Sequence, residues 1–184
     1  MQETRQGSVT LVLGGARSGK SRYAQQLAEQ SQRVVFVATA KASDDEMNAK
    51  IERHKEDRPK SWLTVEEPLE LPKVLAEHEG HSDVIVIDCL TIYTANLMEA
   101  AGENSAAIDG RITALCEVLG RVQCNVVLVS NEVGSGVHPV SPLGRAYRDL
   151  LGEINQKIAR IADDVVLMVA GLPLALKGHL EGTL

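Results

Sequence analysis

Residues 14–21 read Gly14-Gly15-Ala16-Arg17-Ser18-Gly19-Lys20-Ser21 and match G-x-x-x-x-G-K-[ST] with no mismatch. Before them, Val9 to Leu13 is an apolar, largely β-branched run, and after them Ser21 to Gln30 reads as a helix. Strand, loop and helix in that order are the setting a phosphate-binding loop (P-loop) needs. The glycines let backbone N–H groups turn inward around phosphate oxygens, and the helix start adds a partial positive charge there. Lys20 is expected to reach the β- and γ-phosphates and the Ser21 hydroxyl to hold Mg²⁺. A glycine-rich turn that binds nothing is the plainer alternative, and the complete match in context weighs against it.

The rest of the chain alternates strand and helix patterns. Apolar runs at Val9–Leu13, Val34–Ala38, Val84–Asp88, Val126–Ser130 and Val165–Val169 are short and nearly continuous, as for strands covered on both faces. Trp62–Val65 is a weaker strand candidate. Leu143, Tyr147, Leu150, Leu151, Ile154, Ile158 and Ile161 form a helical stripe, with Ser141-Pro142 as N-cap and first helical position. The alternation predicts an α/β fold, a mostly parallel sheet with helices on both faces, with phosphates at the carboxyl ends of its strands. No repeat or linker divides the chain, so residues 9–184 are expected to form a single domain behind a loose polar tail, residues 1–8.

Composition narrows the function. With 184 residues, 44% of them hydrophobic, the chain can bury a real core, and with 3% aromatics that core must be aliphatic. A net charge of -6 argues against a broad nucleic-acid footprint. Cys89, Cys116 and Cys124 form neither a C-x-x-C pair nor an even framework, which suits a reducing compartment. No apolar run reaches the roughly 18 residues needed to span a bilayer. The polar start MQETRQGS lacks the apolar stretch of a signal peptide. The expectation is a cytoplasmic protein with no membrane span.

Several residues are candidates for chemistry. Asp88 ends the run Val84-Ile85-Val86-Ile87, where P-loop proteins place a carboxylate for Mg²⁺. Its bland alternative is a cap on a helix from Thr91. Ser43-Asp44-Asp45-Glu46 fits a capping box, and Pro59 closes the helix it opens. Within that helix His54 follows Met47 and Ile51 near one face, with Lys55 and Arg58 close behind. A neutral imidazole beside two cations could attack phosphorus, but spacing alone favours a helix-end histidine held by the dipole. His78 and His81, flanked by Glu77 and Glu79, read as a solvated helix end before Gly80 rather than a metal site. Asn131-Glu132-Val133-Gly134-Ser135-Gly136 follows a strand and suggests either a mobile loop over the site or a plain turn; pattern does not decide. Arg145 and Arg148, three apart, could meet phosphate or another subunit, or simply solvent.

Together these stretches resemble the bifunctional adenosylcobinamide kinase / adenosylcobinamide-phosphate guanylyltransferase family of cobalamin assembly. GGARSGKS at 14–21, ATA at 38–40, DDEMNAKIERHKEDRP at 44–59, WLTVEEP at 62–68, IDCLT at 87–91, VSNEVGSGVHP at 129–139, GRAYRDLLGEINQKIA at 144–159 and VAGLPLALK at 169–177 carry the likeness, in order. The HKEDRP and NEVGSG segments are its most specific parts. The resemblance implies a RecA-like P-loop fold, a ring-shaped homotrimer with sites near subunit contacts, and ATP and GTP as substrates. It implies that Gly14 to Ser21, Ala38, Thr39, Ala40, Lys55, Glu56, Asp57, Arg58, Glu66 and Asp88 line the nucleotide site. It also implies that His54 takes up GMP covalently, against the reading from spacing.

On that resemblance the hydroxyl of the corrinoid's aminopropanol arm attacks the γ-phosphate of ATP or GTP. His54 then attacks the α-phosphate of GTP and passes GMP to the phosphorylated corrinoid. Imidazole is largely neutral near pH 7, so His54 needs little prior deprotonation. A simple P-loop kinase of another alcohol, with His54 structural, is the alternative, and a nucleotide-gated binding protein without transfer chemistry is a second. The sequence has no D-x-H-x-x-G pattern that would ligate cobalt through histidine, so the corrinoid contacts stay open.

Overall fold

The computed structural model describes residues 7–40, 59–102 and 104–180. The apolar runs form strands and the amphipathic stretches between them form helices. In chain order these are β1 (Val9–Gly14), α1 (Lys20–Ala28), β2 (Val34–Ala38), β3 (Leu63–Glu66), α2 (Leu71–His78) and β4 (Val84–Asp88). Then come α3 (Leu90–Ala101), α4 (Ser105–Leu119), β5 (Asn125–Val129), α5 (Pro142–Ile161), β6 (Asp164–Val169) and β7 (Leu172–Lys177). They build one seven-stranded sheet of order β3-β2-β4-β5-β1-β6-β7. Every neighbouring pair is parallel except β6 with β7.

Strand side chains alternate between two faces, and each face has its own core. On one, Leu11, Val37, Ile85, Ile87 and Leu128 pack with Leu75 of α2, Leu97 of α3, Leu115 of α4 and Ile154 of α5. On the other, Val12, Val34, Phe36, Val86, Val127 and Met168 pack with Ala24 and Ala28 of α1. Alanines at the α1 contact let that helix lie close to the sheet. Because the central strands are covered on both faces they carry apolar residues at nearly every position, which is why their runs are legible in the sequence.

Each expected strand and the P-loop helix lies within a residue or two of its expected place. Ser141 caps α5, its Oγ accepting the Gly144 N–H at 3.0 Å. The structure differs from the reading of the sequence, or adds to it, at four points. Helix α3 starts at Leu90 with Cys89 as N-cap, so Asp88 is not the cap of a helix from Thr91. Leu143 is 70% exposed, because the first turn of α5 projects beyond the core that buries Leu151, Ile154 and Ile158. Of the tail read as loose, Gly7 and Ser8 are held: the Gly7 N–H donates to Val122 O at 3.2 Å, and the Ser8 N–H and hydroxyl to Asn125 Oδ1 at 3.1 and 2.9 Å. Finally β7 is an added antiparallel edge strand that the hydropathy pattern did not announce. Among the described residues no helix is long and apolar enough to cross a membrane.

Candidate active site

Backbone geometry shapes the loop after β1. A Cβ on Gly14 would lie 2.6 Å from both the Met168 carbonyl oxygen and Ser18 Oγ, so only glycine fits. Gly19, the N-cap of α1, has φ 97° in the left-handed region, and α1 has no side-chain cap. An uncapped start leaves its first N–H groups for a ligand, and anions favour that end of a helix. The loop is braced from inside and outside. The Ser18 N–H donates to Gly15 O at 3.3 Å, and the Gly171 N–H, at the tip of the β6–β7 hairpin, donates to Ser18 O at 3.0 Å. Gly15, Ala16 and Arg17 stand exposed.

The Lys20 ammonium donates to Gly15 O at 2.6 Å, folded back over the loop that it would otherwise extend toward phosphate. Burial lowers its pKa, while Cys89 and Asp88 pull the other way. Asp88 and Cys89 are thus close enough to Lys20 for their charges to act on it. Ser21 is half-buried in the first turn of α1.

Strand register explains why distant parts of the chain meet here. Glu66, Ala38, Asp88 and Val129 are partners in one row across β3, β2, β4 and β5, and Val129 pairs with Val12 of β1. Ala38, Glu66 and Asp88 thus share the carboxyl edge of the sheet, with Glu66 exposed at its rim. Thr39 is fully buried just beyond β2. Its hydroxyl donates to Cys89 O at 2.8 Å and accepts the Cys89 N–H at 3.0 Å, and its N–H donates to Asp88 O at 3.2 Å. Thr39 locks β2 to the peptide after Asp88. Ala40 follows it, half-buried. His54, Lys55, Glu56, Asp57 and Arg58 lie outside the described residues.

The segment after β5 is tied down at both sides. The Asn131 N–H donates to Thr91 Oγ1 at 3.0 Å and the Glu132 N–H to Gly14 O at 3.1 Å. Glu132 Oε1 accepts the N–H groups of Gly134 and Ser135, so the glycine-rich part is a turn closed on its own carboxylate. Asn155 of α5 completes the anchor: its Oδ1 accepts the Ser130 hydroxyl at 2.7 Å and its Nδ2 donates to Asn131 O at 3.0 Å. The Tyr147 hydroxyl donates to Thr91 O at 3.1 Å, and burial pushes its pKa up to about 12. Sequence reading did not single out Asn155, and it placed Tyr147 only as a member of the apolar stripe of α5. The signal was there for Asn155, a polar residue four after Leu151 on the buried face of the α5 stripe. Asn96 of α3 was equally silent, and it donates to Thr39 O at 2.8 Å and Pro68 O at 3.1 Å.

Of the remaining candidates, Arg145 and Arg148 make hydrogen bonds within the chain. Arg145 donates to Pro139 O at 3.1 Å and Val140 O at 2.7 Å, and Arg148 bonds Asp149 and His138. Helix α2 ends at His78 and His81 is exposed. Among the described residues no group of three or more His, Cys, Asp or Glu could hold a metal ion.

Comparison with known proteins gives this edge of the sheet a family. Residues 10–176 match the family described as cobinamide kinase / cobinamide phosphate guanyltransferase. The chain belongs to that family. Within it, the bifunctional adenosylcobalamin biosynthesis protein CobP of Pseudomonas aeruginosa is 44% identical over 170 residues, 92% of this chain and 97% of the relative. The corresponding CobU proteins of Salmonella typhimurium and Escherichia coli are 40% and 38% identical, each over 91% of this chain and 98% of its own length. At the level of fold alone, the chain is similar to a prototypical ATPase from the type III secretion system of pathogenic bacteria, with TM-score 0.59 and 11% identity over 92% of this chain and 57% of that one. The assembled ATPase EscN of enteropathogenic E. coli gives TM-score 0.56 and 10% identity over 89% of this chain and 43% of its own. The fold of this kinase / guanyltransferase family member is therefore that of the P-loop ATPases, a RecA-like sheet.

Proposed function

We propose that this protein phosphorylates adenosylcobinamide with ATP or GTP, then transfers GMP from GTP through a guanylyl-histidine at His54, giving adenosylcobinamide-GDP in cobalamin assembly. The observation that carries the reading is the family match over residues 10–176, which spans both the P-loop and the segment around His54. In the kinase step the amides of Gly15 to Lys20 hold the nucleotide phosphates. Lys20 swings from Gly15 O to the β- and γ-phosphates, and its charge offsets the negative charge spreading over the transferring group. The Ser21 hydroxyl and Asp88 carboxylate are hard oxygen donors that suit Mg²⁺, which keeps most of its shell as water and phosphate. Magnesium bound there would neutralise phosphate charge. Ala38 to Ala40, Lys55 to Arg58 and Glu66 complete the nucleotide site. In the second step one ring nitrogen of His54 bonds to the α-phosphorus, pyrophosphate leaves, and the corrinoid phosphate oxygen displaces His54.

The working form is a homotrimer in the cytoplasm. Two separate apolar patches support assembly: Val169, Leu172, Leu174 and Leu176 on the β6–β7 hairpin, 54–62% exposed, and Val137, Val140 and Leu143 before and at the start of α5, 70–96% exposed. Ring contacts are heterologous and need two different patches per chain. The three free cysteines suit a reducing compartment.

GTP labelled at the α-phosphate tests the reading. The label is expected on the peptide holding His54, as an acid-labile, alkali-stable bond. His54→Ala should form no labelled protein yet still phosphorylate adenosylcobinamide. Label on another peptide, or none on the parent protein, defeats the guanylyl-histidine route.

A further inference from the structure

The turn from Asn131 to Gly136 has no part in the chemistry above, yet it occupies a central place. Strand β5 lies between β4, which ends in Asp88, and β1, which runs into the Lys20 loop. Neighbouring strands are about 4.8 Å apart, so the chain leaves β5 roughly 5 Å from each. Glu132 emerges there, half-buried. Its backbone is fixed to the P-loop by the bond to Gly14 O, and the residue before it is fixed to α3 through Thr91 and to α5 through Asn155. A segment so pinned cannot drift relative to bound phosphates, so its side chain acts from a set position.

The side chain is a carboxylate with one oxygen in use. Oε1 accepts the Gly134 and Ser135 amides, while Oε2 has no hydrogen-bond partner among the described residues. The kinase reaction has a proton to dispose of, because the attacking hydroxyl must lose its hydrogen. Other described carboxylates near this edge fit the task less well. Asp88 is assigned to the metal. Glu66 ends β3, four strand spacings or roughly 19 Å from β1. Glu67 follows directly after β3, at the same distant edge of the sheet.

We propose that Glu132 is the catalytic base of phosphoryl transfer. The hydroxyl O–H bond breaks and its proton passes to Glu132 Oε2. The hydroxyl oxygen bonds to the γ-phosphorus. The bond from that phosphorus to the β,γ-bridging oxygen breaks, and its electron pair leaves with the nucleoside diphosphate. Uptake of GMP by His54 involves no acceptor hydroxyl, so Glu132 serves only one of the two reactions. This inference rests on the kinase half of the proposed function.

The test variant is Glu132→Gln, measured for phosphorylation of adenosylcobinamide and, separately, for guanylyl-enzyme formation. Gln keeps an Oε1 acceptor for the turn and removes the basic oxygen. The expected result is a fall in kcat for phosphorylation of about 10²–10⁴ with little change in the KM for ATP. Guanylyl-enzyme formation should suffer far less. Glu132→Asp, with a carboxylate one methylene shorter, should keep part of the rate. An E132Q protein as fast as the parent, equal loss in both reactions, or equal loss in E132Q and E132D defeats the inference. A parent that phosphorylates no cobinamide defeats the kinase reading itself, and this inference with it. A parent that does so, alongside an unimpaired E132Q, defeats this inference alone.

Discussion

Thr39→Val removes one oxygen and keeps the volume, so it isolates the clamp between β2 and the peptide after Asp88. The hydroxyl makes two bonds, donating to Cys89 O at 2.8 Å and accepting the Cys89 N–H at 3.0 Å. Valine satisfies neither. A buried backbone group left without its partner costs about 1–3 kcal/mol, so two partly buried groups put the loss at about 2–4 kcal/mol. Native domains hold about 5–15 kcal/mol in reserve, so the variant still folds. In a chain of this length each kcal/mol moves the melting midpoint by about 2–4 °C, and the expected fall is roughly 5–15 °C. Thr39→Ser keeps the hydroxyl and loses a methyl, costing about 1 kcal/mol. The assays are thermal and urea unfolding followed by circular dichroism, with a magnesium titration of kinase turnover. Because Cys89 follows Asp88 directly, T39V should also need more Mg²⁺ for half-maximal rate. A T39V midpoint matching the parent's, or a T39S protein less stable than T39V, refutes the clamp.

Lys20→Ala should cut phosphoryl transfer by about 10²–10³, the typical cost of removing one transition-state charge partner. Undiminished turnover in a steady-state assay excludes the P-loop role given to Lys20. Asp88→Asn should raise the magnesium needed for activity while leaving the unfolding midpoint nearly unchanged, because Cys89 and not Asp88 caps α3; a metal titration superimposable on the parent's contradicts it. Burial, aided by Glu79 and Asp83, pushes the Cys124 thiol up to about 11 from an ordinary 9.0. The folded state then holds this proton more tightly than the unfolded one, so its contribution is complete below about pH 9 and is lost as pH rises toward 11. Urea midpoints across that range should fall less steeply in Cys124→Ala than in the parent, and parallel curves would count against this assignment.

Sequence alone determined the P-loop, the central strands and the position of Asp88. These follow from local causes. Phosphate cradling needs glycines and a lysine at fixed spacing, and strands covered on both faces must be apolar throughout. His54 is different: the role proposed for it comes only through resemblance to a family, since spacing favours a helix-end residue, and it lies outside the described residues. The antiparallel β7 was silent because its face carrying Leu172, Leu174 and Leu176 is uncovered in the single chain, so its pattern matches no buried strand. Tertiary structure alone decided what the polar residues of the site do. Thr39 and Cys89 are 50 positions apart, and Glu132 is linked to Gly14 only because β5 inserts between β4 and β1. A hydrogen bond across strands depends on register and strand order, which no local pattern encodes. The sequence could name a carboxylate in a glycine-rich turn, and only the order of the strands set it beside the phosphate loop.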